Sequence, residues 1–283
     1  MPIRITPLNA PDDRLAWLAS DGHPVGSAFL RLFSRPGQDH LAELELHVHP
    51  ADRRHGTGTR LLDAALGAAR EAGKRCVLAQ AEAGSPGAEF LPSRGFRKVL
   101  TLTFARLPLA QADPAAMADR PHPPYVLTSW SGTVPDHLAQ TYADSRRAMD
   151  DMPMDDTDYG TVTWDVDRLR SVAEAVAKRG DHLHTVAAVH RPTGSIVAFT
   201  ELVVPSDGLG DAQHYGTGVL PEHRGHGLGL WIKAESIRQA RDRHPRLDGL
   251  LTDTADSNSY MRSINDALGY VPTHRVMTYQ LDL

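Results

Sequence analysis

The sequence predicts an α+β fold built twice over, and three observations lead there. Residues 46–62 read LHVHPADRRHGTGTRLL and residues 217–233 read TGVLPEHRGHGLGLWIK, so one motif occurs twice. Around each copy, stretches that alternate with period 2 are interleaved with stretches at helical spacing. Between the copies, residues 108–124 hold five prolines and no apolar periodicity, a composition that fits a stiff, extended linker. The copies lie too far apart for a solenoid period and are read as a duplicated domain. The expected boundaries are 1–107 for a reduced, non-catalytic first domain, 108–124 for the linker, and 125–283 for a second, working domain.

In the first domain, residues 25–33 and 41–48 alternate like strands. Residues 59–72 have helical spacing, 75–80 read as a strand, and 96–107 as a terminal strand pair. In the second, 137–149 and 165–178 repeat Leu and Ala at three and four residues and predict two helices. Strands follow at 184–190 and 195–204 around the turn Pro192-Thr193-Gly194. Residues 214–219 form another strand, 228–243 a helix, 247–252 a strand, 257–268 a helix and 276–281 a last strand. The first domain has only some twenty residues before its first hairpin strand and the second nearly sixty. The opening helices are therefore expected to be missing or reduced in the first.

Composition narrows the class. The chain of 283 residues is 41% apolar, 23% charged and 6% aromatic, as in ordinary globular proteins. No run approaches the ~18 apolar residues of a membrane span. The start, Met1-Pro2-Ile3-Arg4-Ile5-Thr6, has no apolar core of a secretory signal, so the expected address is the cytoplasm, without a membrane partner. A net charge of -5 argues against a sequence-independent nucleic-acid partner. The single cysteine, Cys76, excludes an intrachain disulfide and reads as an inert core residue. His47 and His49 alternate without a third ligand nearby, so no metal is expected. From Asp144 to Asp158 six aspartates stand against Arg146 and Arg147, either a solvated loop or a trap for a cation.

The repeated motif, Val-x-Pro-x-x-Arg-x-x-Gly-x-Gly, sits between a strand and a helix. Its glycines leave backbone N–H groups open to close approach, and the helix N-terminus adds a positive dipole end. Together they suit a pyrophosphate. A P-loop would require Gly-Lys-Ser/Thr at the helix start, and neither copy has it. A Rossmann turn would place its first glycine directly after the strand, whereas Glu222-His223-Arg224 intervene. Asp253 does end the next strand, which leaves the dinucleotide reading as a rival.

The motif resembles the acyl-CoA-binding motif A of the GNAT (Gcn5-related N-acetyltransferase) superfamily. Both copies carry it, with Gly95-Phe96 and Gly269-Tyr270 as matching downstream pairs. The second copy, His223-Arg224-Gly225-His226-Gly227-Leu228-Gly229 followed by Asn258-x-x-Met261-x-x-x-Asn265, resembles the tandem GNAT proteins of actinomycetes, the group that includes mycothiol synthase. The resemblance implies two GNAT domains, each a mixed, mostly antiparallel sheet flanked by helices. It implies acetyl-CoA as co-substrate, its pyrophosphate on the amides of Gly225 to Gly229, with Val219, Arg224, His226, Leu228 and Asn258 around it. Arg53, Gly56 and Gly58 are the counterparts in the first copy. The strand before the motif would splay from its neighbour to admit the pantetheine arm, and an amide near Val219–Leu220 would polarise the thioester carbonyl.

Transfer requires a base, because an alkyl amine with a pKa of about 10.4 is protonated near neutrality. Relatives place that base at positions that here hold Gln213 and Tyr215, or Ala42 and Leu44 in the first copy. They place a general-acid tyrosine where Asn265 and Leu91 stand. Substitutes are Glu201 acting through a water, His214 if a bulge turns it inward, and Tyr215 as donor to the leaving thiolate. Glu43 and Glu45 read as solvated strand residues. Asp150, Asp151, Asp155 and Gln213 are the expected acceptor contacts. The reading is an acetyl-CoA-dependent N-acetyltransferase, monomer or homodimer, acting on a primary amine of a small, cationic molecule. A non-enzymatic acyl-CoA-binding protein and a protein-amine acetyltransferase are the alternatives.

Overall fold

The computed structural model describes residues 3–10, 13–160 and 162–283. The chain divides into two compact units. Unit 1 comprises Met1–Leu102, Met154–Val162 and Arg275–Leu283; unit 2 comprises Thr103–Pro153 and Thr163–His274.

Unit 1 opens with an antiparallel meander of β1 (Arg4–Leu8), β2 (Arg14–Ser20), β3 (Pro24–Leu32) and β4 (Leu41–Val48). Helix α1 (Thr57–Glu71) then crosses over to β5 (Cys76–Glu82), which runs parallel to β4. Apolar residues at helical spacing, Leu61, Leu62, Ala65, Leu66 and Ala69, bury one face of α1 in the core with Leu30, Leu44 and Val77. Helix α2 (Pro86–Ser93) starts on Ser85, whose hydroxyl accepts from Ala88 N–H. No helix lies between β1 and β2 among the described residues.

Unit 2 takes residues 103–108 of β6 (Arg97–Pro108), then α3 (Ala115–Ala118), β7 (Tyr125–Ser131), α4 (Asp136–Ser145) and α5 (Val166–Lys178). Strands β8 (His182–His190), β9 (Ser195–Val204) and β10 (Gly210–Val219) form an antiparallel meander. Helix α6 (Leu228–Arg243) leads to β11 (Leu247–Ala255), parallel to β10, and α7 (Ser259–Leu268) follows. The strand order within the unit is β6-β11-β10-β9-β8-β7. Arg106 on β6 reaches Asp211 on β10 at 2.7 Å across Gly249, where a Cβ would stand 2.8 Å from Leu107 O. Only glycine fits on β11 beneath that crossing.

Four expectations about organisation are corrected. The last strand, β12 (Val271–Asp282), serves unit 1: Val276 to Asp282 pair antiparallel with Glu82 to Cys76 of β5. Both terminal strands alternate apolar residues equally well, so periodicity alone does not say which sheet edge each one joins. Residues 96–107 form one long strand instead of a strand pair, and the helix expected over 137–149 ends at Ser145, where a 3-10 turn (Arg146–Met149) takes over.

The fourth correction is the linker. Residues 109–118 form a 3-10 turn and α3, and both pack in the unit 2 core with α6. That second cover explains why α6 is buried nearly all round, including Leu228, Trp231, Ile232, Ala234 and Ile237. Each fully buried isoleucine contributes about 1.5–3 kcal/mol. Among the described residues no helix is long and apolar enough to cross a membrane.

Trp231 Nε1 donates to Ala118 O at 2.9 Å in a buried setting. Trp231→Phe keeps the aromatic packing and strands that carbonyl, a loss of about 1–3 kcal/mol. Urea unfolding at fixed pH should show a lower midpoint with unchanged slope.

Candidate functional site

The repeated motif folds alike in both units. In unit 2 a 3-10 turn (Pro221–His223) follows β10, and Arg224 Nε donates back to Val219 O at 3.0 Å. Gly227 then caps α6 with φ +75°, a left-handed value that favours glycine. In unit 1 the turn is Pro50–Asp52, Arg53 Nε donates to Val48 O at 3.2 Å, and Gly56 caps α1 with φ +83°. The first N–H groups of each helix have no intrahelical acceptor and point out of its N-terminus. In unit 2 these are the amides from Gly227 onward, beside Gly225 at φ +79° and His226. Gly229 packs against the wall of the turn: a Cβ there would meet Ile264 at 3.0 Å and Val219 at 3.6 Å. This cradle fits a pyrophosphate.

Behind the cradle the parallel ladder stops. Strand β10 pairs with β11 only from Gly210 to Gln213, and in unit 1 β4 pairs with β5 only from Leu41 to Leu44. Leu220 N–H donates to Val197 O at 2.9 Å, on the β9 side. Antiparallel alternation therefore turns the Val219 N–H toward the parted edge. Val219, rather than Leu220, offers the amide for a carbonyl oxygen in the gap.

A bulge sits at the head of the gap. The β9–β10 register runs Gln213↔Val203, His214↔Leu202, Gly216↔Glu201, leaving Tyr215 unpaired. It reverses the faces that simple alternation predicts. His214 turns inward and is fully buried, and burial drives its imidazole well below the usual range. Tyr215 turns outward, half-exposed, and its hydroxyl accepts from Arg179 at 3.1 Å. Tyr215 is thus held at the end of α5, away from the face it was expected to share with the parted edge. Gln213 Nε2 donates to His214 O at 3.1 Å and reaches Asp253 at 3.4 Å.

On the α4 and α5 side, Glu201 is buried beneath Gly216. Its Oε1 accepts from Arg146 at 2.5 Å and from the Tyr142 hydroxyl at 2.7 Å. The Arg146 guanidinium lies over the rings of Trp164 (4.3 Å), Phe199 (4.5 Å) and Tyr142 (4.9 Å). Burial, and then the Glu201 charge, hold the Tyr142 phenol well above its ordinary value, so it stays a donor. Glu201 Oε2 would stand 3.6 Å from a Cβ on Gly216, which puts that oxygen against β10. Gly218 admits the turn after α4: a Cβ there would meet Ala148 at 2.9 Å.

The acidic stretch does not form one patch. Asp151 is bidentate with Arg224 at 2.5 and 2.7 Å, which holds its carboxyl below the ordinary range, while Asp155 and Asp156 belong to unit 1. Arg147 pairs with Glu222 in parallel. Of the expected acceptor contacts, Asp150 and Asp151 lie in unit 2 and Asp155 in unit 1. Asn258 also has a structural task, its side chain capping α7 through Met261 N–H at 3.0 Å. The reading of residues 108–124 as a plain linker hid His122, which sits 3.2 Å from a Cβ built on Gly227, donates from Nδ1 to His226 O at 3.0 Å, and packs tilted on Trp231. In unit 1, His40 and Asp158 are hydrogen-bonded at 3.1 Å beside Cys76, whose thiol burial pushes up to about 11.

The Arg146–Glu201 pair is more than nine-tenths buried on both sides, so breaking it leaves an uncompensated buried charge. Glu201→Gln should lower unfolding free energy by about 3–5 kcal/mol, read by chemical denaturation at pH 7. A change near zero would mean that water reaches the guanidinium.

Comparison with known proteins agrees with this geometry. The profile of the acetyltransferase (GNAT) family matches residues 3–96. The mycothiol acetyltransferase of Thermobifida fusca (strain YX) is 30% identical over 234 residues, covering 77% of this chain and 67% of that protein. A tandem GNAT protein from the clavulanic acid biosynthesis pathway superposes with a TM-score of 0.77 at 24% identity, over 96% of this chain and 84% of that one. A GCN5-related N-acetyltransferase from Sphaerobacter thermophilus gives 0.73 at 17% identity, over 97% and 82%. The duplicated cradle, the parted strands and these likenesses together make the chain a member of the GNAT acetyltransferase family, in its tandem-domain group.

Proposed function

We propose that unit 2 transfers an acetyl group from acetyl-CoA to a primary amine of a small molecule. The observation that carries the proposal is the parting of β10 from β11 behind the Gly227 cradle, in the unit whose other face carries α4 and α5. Acetyl-CoA supplies the activated thioester. The amides from Gly225 to Gly229 hold its pyrophosphate, with the α6 dipole contributing roughly 0.3–1 kcal/mol per charge. The Val219 N–H steadies the oxygen that becomes negative as the amine attacks. Glu201 takes the amine proton at Oε2, directly or through a water, while Arg146 and Tyr142 hold Oε1 and fix its orientation.

The acceptor is not assigned to a cation by the acidic stretch, since Asp151 is spent on Arg224. Because one similar protein is named a mycothiol acetyltransferase, mycothiol-type compounds belong in the panel of amines beside polyamines and amino sugars. Release of coenzyme A thiol in the presence of each amine tests the proposal. A full panel without amine-dependent release would leave acyl-CoA binding as the function.

Two substitutions separate charge from shape at the cradle. Aspartate and asparagine both tolerate left-handed backbone, and both cap helices. Gly227→Asp places a negative charge beside the pyrophosphate and Gly227→Asn does not. Calorimetry should find acetyl-CoA affinity lower in the Asp variant by about tenfold or more, the scale of two charges a few ångströms apart near a surface. Equal affinities would remove the pyrophosphate from this site.

Unit 1 has the same cradle and parting, but lacks helices between β1 and β2 among the described residues. We propose that it is catalytically silent. Gly56→Asp should leave amine-dependent turnover within about twofold of the parent, because the cradle it alters is not the one assigned to the chemistry. A loss matching that of Gly227→Asp, with folding intact by circular dichroism, would assign chemistry to unit 1.

A further inference from the structure

The two units repeat the same strand–cradle–helix frame, and at four corresponding positions unit 1 buries an apolar residue where unit 2 buries a polar one. Counting from the glycine motif, Lys233 of α6 corresponds to Leu62 of α1. Counting from the Gly-aromatic pair, Asn265 corresponds to Leu91, and Tyr270 to Phe96. The strand registers add His214, turned inward by the bulge, opposite Leu44. All four unit 1 residues are core hydrophobics, 2–4% exposed. All four unit 2 residues are polar and just as buried, at 1–5%. A leucine-and-phenylalanine set therefore suffices to build this fold, and the polar set is not there to build it.

The polar set is also incompletely satisfied. Lys233 Nζ donates to Asn265 Oδ1 at 2.7 Å and lies 4.9 Å from the centre of the Tyr270 ring. Asn265 Nδ2 in turn donates to Thr254 Oγ1 at 3.0 Å, on the part of β11 that has left β10. His214 Nε2 and the Tyr270 hydroxyl are buried with no partner. Each such orphan destabilises the fold. The set thus spans both edges of the parting, His214 on β10 and Thr254 on β11, and keeps unspent hydrogen-bonding capacity inside it.

We propose that the Lys233 ammonium, seated on Asn265 between His214 and Tyr270, holds the proton taken up by the departing coenzyme A thiolate. The proposal rests on the reading of unit 2 as the acetyltransfer site. As the amine nitrogen bonds to the acyl carbon, the carbon–sulfur bond breaks and its electron pair stays on sulfur. Lys233 passes one proton to that sulfur and becomes a neutral amine. The proton shed by the attacking amine goes to Glu201 and solvent, and solvent returns one to Lys233, so the count closes.

Burial brings the Lys233 amine down to about 7, with Asp253 of β11 partly opposing the shift. The other titratable groups facing it are His214 of β10 and Tyr270 at the head of β12; α7 offers the neutral Asn265. A lysine balanced near neutrality gives up its proton without deep loss of charge, the condition for efficient general acid work.

The test starts with the ligand-free protein. Lysine carrying a 13C label beside Nζ is titrated by NMR, with Lys233→Met identifying the signal. Lys233 should titrate near neutrality, far below the other lysines. Its midpoint should move when coenzyme A is added and stay put with desulfo-coenzyme A, which lacks only the sulfur. Equal response to both ligands, or an ordinary lysine titration, would overturn the proposal while leaving acetyl-CoA binding intact. Binding by neither ligand would overturn both readings.

Stability gives a second readout. A lysine whose folded pKa is depressed penalises the fold most below about 7, and the penalty vanishes as pH approaches its ordinary value of 10.5. Lys233→Met should therefore unfold at a higher temperature than the parent at pH 6.5, with the gap closing as pH rises. Acetyl-CoA affinity should be unchanged, and turnover with any accepted amine should fall about 100-fold or more. If the Met variant disturbs packing, the pair Lys233→Leu with Asn265→Leu restores the arrangement of unit 1 and must give the same split. Retained turnover in either variant would show the set to be structural.

Discussion

The bulge at Tyr215 is the constraint from which the unit 2 site follows. A strand has period 2, so one extra residue exchanges the faces of everything beyond it. Without it, His214 would point toward α4 and α5, and the phenol of Tyr215 would press into the interior beneath α6. With it, a histidine enters the buried polar set, and Gly216 and Gly218 line the opposite face. Those two glycines then allow Glu201 and the turn after α4 to close against the strand. One inserted residue thus separates the two faces of β10, and under the proposed function one face serves the coenzyme and the other the acceptor amine. In unit 1, β4 has no register shift against β3, and its inward residues are hydrophobic throughout.

Duplication within one chain provides an internal control. Cradle geometry is retained in both units down to the arginine–carbonyl hydrogen bond and the left-handed glycine cap. Such backbone features cost little to keep, because a 3-10 turn feeding a helix is stable in its own right. Buried polar side chains are different. Transferring an unpaired hydroxyl or amide from water into the interior is unfavourable by roughly 1–3 kcal/mol in proteins, and a charged amine more so. At these positions unit 1 has Leu62, Leu91, Leu44 and Phe96, and unit 2 retains Lys233, Asn265, His214 and Tyr270. The contrast separates what the fold needs from what the chemistry needs.

Much of this was legible in the sequence because it rests on local pattern. The glycine motif named the cradle, and alternation placed β3, β4, β8 and β9 nearly to their ends. What escaped depends on distant partners. The pairing of β12 with β5 joins residues almost 200 apart in sequence, and no periodicity encodes it. The proline-rich segment read as extended because proline counts say nothing of Trp231 reaching Ala118 O. Lys233 was passed over inside a helix. Its one signal was a lysine where the first copy has leucine, visible only after aligning the repeats on their glycines.

The motif arginine shows how the acidic stretch is used. Arg224 has its Nε on Val219 O and both terminal nitrogens on Asp151, so little of its charge remains for a phosphate. Anion binding at the cradle then falls to backbone amides and the α6 dipole, groups fixed by the fold. Asp151 and Arg147 both belong to the segment after α4, which Gly218 lets approach β10, and Arg147 pairs with Glu222 in the cradle turn. Two ion pairs therefore tie the acceptor-side segment to the coenzyme-side turn. Each is exposed and weak alone, on the order of 0–1 kcal/mol. Their effect is positional, because both hold the segment after α4 against the turn that precedes α6. At Asp151, the acidic stretch is tied by its ion pair to the arginine of the repeated motif.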